Sequence, residues 1–203
     1  MEGRIVIGLP ISPKRMIHMD LVAWLMNEAL PLDCQPVWAY TPSPEMGRNA
    51  IVEGQLKDRS VGAILFLDYD VVPPLGTILS LMAMDKPIAA ACVPIRVHGV
   101  VSWNVSTNLD HGYLSMLPDA PFKAHVCGFG CVLVQRAAFE ATCWPWFRTL
   151  YKPMGEDGKC ILRSEDEFFC IQAGANDMET WVNPALRCKH WNQTELSEVC
   201  HEI

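Results

Sequence analysis

The 203-residue chain is short of several things, and each shortage narrows what it can be. No uninterrupted apolar run reaches the ~18 residues that a spanning helix requires, so no membrane span is expected. The opening stretch, MEGRIVIGLPISPKRMIHMD, stops being apolar at Pro10 and then turns charged. It lacks the h-region and the small-residue cleavage site of a secretory leader. Positive charge is also scarce: 16 Lys and Arg stand against 23 Asp and Glu, a formal net charge of −7. That speaks against a broad basic surface of the kind that grips phosphate backbones. The nine cysteines are odd in number and contain no CxxC pair. In a chain large enough to fold without staples, they read as the reduced thiols of a cytoplasmic protein. Internal repeats, low-complexity tracts and linkers are missing too, which leaves a single domain over 1–203.

What the chain does have is alternation. Apolar strands are predicted at 4–10, 35–41, 61–70 and 87–95, with helices at 14–30, 48–59 and 73–85 between them. The stretch 41–47, TPSPEMG, reads as a loop, and the helix at 73–85 is opened by a proline pair. Continuously apolar strands that alternate with helices point to an α/β class: a mostly parallel central sheet with helices on both faces. Ligands of such sheets bind at the carboxyl ends of the strands. The second half is more irregular. Strands or a hairpin are expected in the loop-rich 98–117, then a glycine-interrupted strand at 124–135 and a short helix from Arg136. A helix over 164–177 is capped by Ser164, with Glu167 completing a capping box, and an extended segment covers 180–191.

Asp68 and Asp70 follow directly on the apolar run AILFL. In a strand, residues i and i+2 face the same way, roughly 6.5–7 Å apart, and Tyr69 between them faces the other. Two such carboxylates at a strand mouth suit a hard divalent ion, Mg²⁺ or Mn²⁺, shared with a diphosphate. His190, near the end of the last extended segment, could complete the ion's sphere through a neutral imidazole. A zinc site from Cys188, His190, Cys200 and His201 is the competing reading, though the spacing fits no usual finger. Glu165 and Asp166 lie at a helix start, where the dipole favours carboxylates in any case; as a function, either could be a general base. Gly128 and Gly130 interrupt a strand, as at a bulge or the close approach of a ligand. They open no dinucleotide fingerprint, since no third glycine follows at the needed spacing. Arg48 and Asn49 sit at a predicted helix start, a place that favours anions.

Taken in order, RIVIGLP, GRNAIVEGQL, ILFLDYDVVPP, GFGCVLVQRAAFE, SEDEFFCIQAGA and NPALRCKH resemble the nucleotide-sugar glycosyltransferases of the GT-A fold, especially small members of glycosyltransferase family 2. Residues 98–123 are unmatched. The resemblance implies a single GT-A, Rossmann-like domain and a hexosyltransferase that uses Mn²⁺ or Mg²⁺. Asp68 and Asp70 become the DxD pair that meets ribose and, through the metal, the donor diphosphate; His190 is the further metal ligand. Asp166 is the base of an inverting enzyme, with Glu165 as second choice. Pro10 and its loop line the nucleobase pocket, Gly128 and Gly130 admit donor sugar and acceptor, and Arg48, with Asn49 beside it, helps to hold the donor. The donor is a nucleoside-diphosphate sugar. The acceptor hydroxyl belongs to a glycan, a small molecule or a modified nucleic acid. The first strand ends in GLPIS where the family has Pro-x-Tyr/Phe-Asn, and no QxxRW segment of a processive synthase is present. A nucleotidyltransferase shares the sheet and metal logic, but no Gly-rich, Lys/Arg-bearing loop follows the first strand. A non-catalytic nucleotide-sugar-binding module is the third reading.

Overall fold

The structure, a computed structural model, describes residues 3–12, 17–97, 100–108, 112–154 and 158–191. Its first half runs β1 (Arg4–Ile11), α1 (Met19–Trp24), β2 (Gln35–Tyr40), α2 (Pro44–Leu56), β3 (Val61–Leu67), β4 (Val71–Val72), α3 (Thr77–Ala83) and β5 (Ile88–Cys92). Short strands follow: β6 (Pro94–Val97), β7 (Val100–Trp103), β8 (Val105–Ser106), β9 (Phe122–Ala124) and β10 (Val126–Cys127). The chain then continues through β11 (Cys131–Gln135), α4 (Arg136–Ala141), the hairpin β12 (Leu150–Met154) and β13 (Gly158–Arg163), α5 (Glu165–Gly174), β14 (Thr180–Arg187) and β15 (Lys189–His190).

Seven strands make one sheet in the order β2-β1-β3-β11-β5-β14-β9. β2, β1 and β3 pair in parallel, and β14 is parallel to β5. β11 runs against both β3 and β5, and β9 against β14. So β1, β2, β3, β5 and β14 share one direction, and the α/β sheet is mostly parallel as expected. Its central strands are apolar throughout because both faces are covered: β1 is buried from Ile5 to Ile11 and β5 along its whole length.

The two faces are packed differently. One carries Phe66, Phe129, Phe139, Phe147 and Phe169 under α2, α4 and α5. Their ring centroids lie 5.0–6.3 Å apart, mostly in tilted or edge-on pairs. Each such pair contributes about 0.5–1.5 kcal/mol beyond its buried area. The other face is aliphatic, with Ile7, Leu9, Leu65, Leu67 and Leu133 under α1 and α3.

Several boundaries differ from the sequence-based expectation, each for a local reason. The helix expected over 14–30 is α only from Met19 to Trp24, widens into a π turn (Leu25–Ala29) and then tightens to a 3-10 turn (Leu30–Leu32); residues 14–16 lie outside the described residues. The supposed loop before residue 48 is the first turn of α2: the Ser43 hydroxyl accepts from Met46 N–H and Pro44 takes the first position, where a missing N–H costs nothing. α3 begins at Thr77, not at the proline pair, because Gly76 at φ 83° turns the chain just before it. Ser164 and Glu167 form the expected capping box at α5. Among the described residues Cys34, Cys92, Cys127, Cys131, Cys143, Cys170 and Cys188 are free thiols, and no helix is long and apolar enough to cross a membrane.

Candidate functional site

β3 ends at Leu67, so Asp68 and Asp70 lie in a turn and not in a strand. Asp68 N–H donates to the Gly130 carbonyl and Val71 N–H to the Asp68 carbonyl, both at 3.1 Å, which bends the chain into β4. The expected strand spacing of the two carboxylates is thereby corrected. The turn is gripped on both sides: His18 N–H donates to Tyr69 O at 3.1 Å and Trp191 N–H to Asp70 O at 2.9 Å. The rings of His18 and Trp191 stack, 4.5 Å apart and 8° from parallel. β15 pairs antiparallel with β4 and sets His190 opposite Val71.

A cleft of about 330 Å³ opens here, at the carboxyl ends of β1 and β3. Pro10, Ile11 and Ser12 form one wall, Pro42, Ser43 and Pro44 another, and Asp68, Tyr69, Asp70 and His190 the rest. Tyr69 belongs to the lining because the alternation that would have turned it away stops with the strand. α2 can approach the end of β1 this closely because residue 47 is glycine. A methyl group there would come within 2.9 Å of Pro10 and of Thr41. A larger cavity of about 450 Å³ lies beside the edge strand β9 and the C-terminal end of α5, and holds none of the expected site residues.

His190 Nδ1 lies 2.7 Å from the Pro94 carbonyl, which can only accept, so Nδ1 carries a proton and Nε2 is the nitrogen turned to the carboxylates. That nitrogen is 3.7 Å from Asp70 Oδ1. An imidazole nitrogen and a carboxylate oxygen thus come together at the cleft, and the carbonyl behind His190 orients the ring as outer partners of metal-bound histidines do. Asp68 is tied elsewhere: its Oδ1 accepts from Arg48 Nη2 at 2.9 Å. Among the described residues no three or more His, Cys, Asp or Glu side chains are grouped to hold a metal by themselves. The set that is present, a carboxylate and an imidazole with a second carboxylate near, suits a hard ion that takes its remaining ligands from phosphate and water. Of the zinc reading, Cys200 and His201 lie outside the described residues.

Arg48 stands behind the cleft and not in it. Although it comes from the second turn of α2, it is only 2% exposed, and its partners are the protein's own carboxylates. Nη1 donates to Glu165 Oε1 and lies 3.0 Å from Asp166 Oδ1. Burial works to lower the Arg48 pKa, but the three carboxylates, Asp166 foremost, outweigh it and raise it. Asn49 also serves the frame: its amide donates to Phe147 O at 2.7 Å and its oxygen accepts from Phe147 N–H at 3.1 Å.

Asp166 sits at the first turn of α5, its Oδ2 accepting from Phe129 N–H at 3.1 Å. Burial pushes its pKa up to about 7 in spite of Arg48, with Glu165 and Asp68 adding to the rise. Burial also raises Asp68, against the pull of Arg48. Among the described residues, Arg48 Nε and Asp166 Oδ1 are buried polar atoms without a hydrogen bond. The Tyr113 hydroxyl has its pKa raised to about 12 by burial and by the nearby Glu167, Asp166 and Glu165, so this ring borders the same acidic group. Nothing in the sequence around Tyr113 indicated that.

The glycines of the CGFGC stretch are there for close packing by the protein itself. A methyl at Gly128 would come within 3.1 Å of the Asn104 side chain, and one at Gly130 within 3.1 Å of Val93. Asn104, another residue the sequence did not single out, accepts from Val93 N–H and donates to Gly128 O, knotting this loop to the end of β5.

No family model matches the chain, and no curated protein matches it by sequence. Solved structures do resemble it. A197 from STIV superposes with a TM-score of 0.67 at 15% identity, over 94% of this chain and 86% of that one. GalNAc-T7, solved with UDP, GalNAc and Mn²⁺, superposes with a TM-score of 0.64 at 10% identity, over 96% of this chain and 44% of that one. The chain therefore spans less than half the length of GalNAc-T7. At these identities the likeness is one of fold alone.

Proposed function

We propose that residues 1–203 act as one glycosyltransferase unit that moves a sugar from a nucleoside-diphosphate sugar to an acceptor hydroxyl, with inversion. The observation that carries this reading is the pairing of two carboxylate sites across one guanidinium. Asp68 lines the cleft, and Asp166, its pKa near 7, meets the same guanidinium. A carboxyl poised near neutral pH is what a general base needs, since it is then ionised and still holds a proton well. The fold shared with GalNAc-T7, a protein solved with UDP, GalNAc and Mn²⁺, supports the substrate class.

In this scheme Pro10, Ile11 and Ser12 line the place of the nucleobase, and the turn over 68–70 holds the ribose and diphosphate. Asp70, His190 and the second oxygen of Asp68 would hold Mn²⁺ or Mg²⁺, which supplies positive charge to the leaving diphosphate when bound. The acceptor oxygen forms its bond to the anomeric carbon as the bond to the diphosphate oxygen breaks. Its proton passes to the carboxylate of Asp166, whose side chain keeps some exposure. Glu165 already accepts from Arg48 and is the weaker candidate for that task.

The test is donor hydrolysis and transfer with UDP-, GDP- and CMP-sugars and Mn²⁺, before and after EDTA and in the double variant Asp68→Ala, Asp70→Ala. Loss of both activities on chelation and in the variant is expected. Turnover that persists unchanged in either condition removes the metal from the scheme, and donor binding without any hydrolysis would favour a binding module instead.

A further inference from the structure

Arg48 touches both halves of the proposed site. Its Nη2 donates to Asp68 Oδ1 at 2.9 Å, while Nη1 donates to Glu165 and lies 3.0 Å from Asp166 Oδ1. The guanidinium is packed against the rings of Phe129 and Phe147, 5.8 and 5.9 Å from their centroids, and is closed off from the cleft. We infer that Arg48 is a positioning residue: one rigid guanidinium fixes the donor-side carboxylate Asp68 and the base Asp166 relative to each other. This inference rests on the sugar-transfer reading for the roles of those two carboxylates.

Three features support it. The guanidinium is planar, so the directions of its N–H groups, and with them the places of the carboxylates they meet, are set together. Asp166 Oδ2 is anchored by Phe129 N–H, so Oδ1 is the end whose place the neighbouring cation decides. Three carboxylates share one cation behind aromatic walls, where a dielectric lower than that of water makes both their repulsion and its relief strong. Asp68 and Asp166 are 98 residues apart in the chain, and this contact lets them act as a unit. Lysine at position 48 would keep the charge but not the fork, because a point charge on a flexible stem does not hold three carboxylates in a plane.

The first arm of the test uses neither donor nor metal. Urea unfolding of EDTA-treated protein is measured for Asp68→Asn, Asp166→Asn and the double variant, with Arg48 present and with Arg48→Lys. The two substitutions are expected to be non-additive by at least fivefold in the unfolding constant with Arg48 present, and additive within twofold with lysine. Additivity with Arg48 present overturns the inference, and that measurement stands even where the lysine variant does not fold. Equal non-additivity with lysine in place also overturns it, since direct repulsion between the carboxylates would then suffice.

The second arm is kinetic. Arg48→Lys is expected to lower kcat 10- to 100-fold, as loss of an orienting partner does, with the donor KM within threefold. A purely structural role would lower only the folded fraction and leave kcat per folded molecule unchanged. Non-additive unfolding in a protein that neither transfers sugar nor hydrolyses donor would sink the sugar-transfer reading and leave the Arg48 tie standing. Transfer together with additive unfolding would do the reverse.

Discussion

Glu28 and Arg48 are both charged and both buried, on opposite faces of the same sheet, and they are satisfied in opposite ways. Glu28 lies under the aliphatic face, where its two oxygens accept from Gly76 N–H at 2.7 Å and Ile78 N–H at 3.1 Å. It closes the start of α3, where free N–H groups and the helix dipole both favour a carboxylate. Arg48 lies under the aromatic face with three carboxylates from two remote stretches of chain around it. Even so, its own Nε and the neighbouring Asp166 Oδ1 lack hydrogen bonds. A buried charge answered by backbone donors belongs to the frame. A buried charge crowded by side chains that remain partly unsatisfied marks a site.

The sharpest way to break that contrast is Asp166→Asn. Removing the proposed general base is expected to cut the proposed transfer by about 10²- to 10⁴-fold, while the protein stays folded because one of the crowded negative charges is gone. A steady-state assay beside a thermal melt reads both, and unchanged turnover would end the assignment of Asp166 as base.

pH probes the same carboxyl without a mutation. Its folded pKa of about 7 stands above the ordinary 3.8, so the native state binds the extra proton between these values. Stability is therefore expected to fall as pH rises from about 4 to 7, and kcat/KM to rise through about 7 as the base ionises. The stability slope should flatten in Asp166→Asn, as urea midpoints across this range would show.

On the other face, Glu28→Ala removes two charge-assisted hydrogen bonds and is expected to cost about 2 kcal/mol. In a chain of this size that lowers Tm by roughly 4–8 °C. kcat per folded molecule should not change. A matching loss of kcat would mean that the two faces are not independent.

The smallest effect belongs to Ser164→Ala, which removes the cap of α5 and should cost about 1 kcal/mol. If Asp166 is held mainly by Arg48 and Phe129, kcat per folded molecule moves less than threefold in this variant.

How much of this was legible varies along the chain, for physical reasons. The buried runs RIVIGLP, AILFL and IAAAC announced central strands because any apolar stretch of that length needs cover on both faces. The capping box at Ser164 was legible because both of its partners lie within four residues. The first turn of α2 was misread as a loop, since Ser and Pro mark a helix start and a loop alike. The end of β3 was not legible because pairing with the 130–135 stretch, some sixty residues away, runs only as far as Asp68 before the chain turns to Val71. The start of α3 was missed likewise, being met by Glu28 from 48 residues upstream.

By itself the sequence determined the class of fold, the run of buried strands and the short list of residues with chemistry in them, because hydrophobic periodicity and side-chain type are local properties. Only the tertiary structure decided what those residues do to one another. It put Asp68 and Asp70 in a turn, turned His190 Nε2 toward Asp70, and buried Arg48 among carboxylates 20 and more than 115 residues away. A pKa near 7 for Asp166 arises from desolvation beneath packed rings and from charges brought close by folding, neither of which exists in the extended chain.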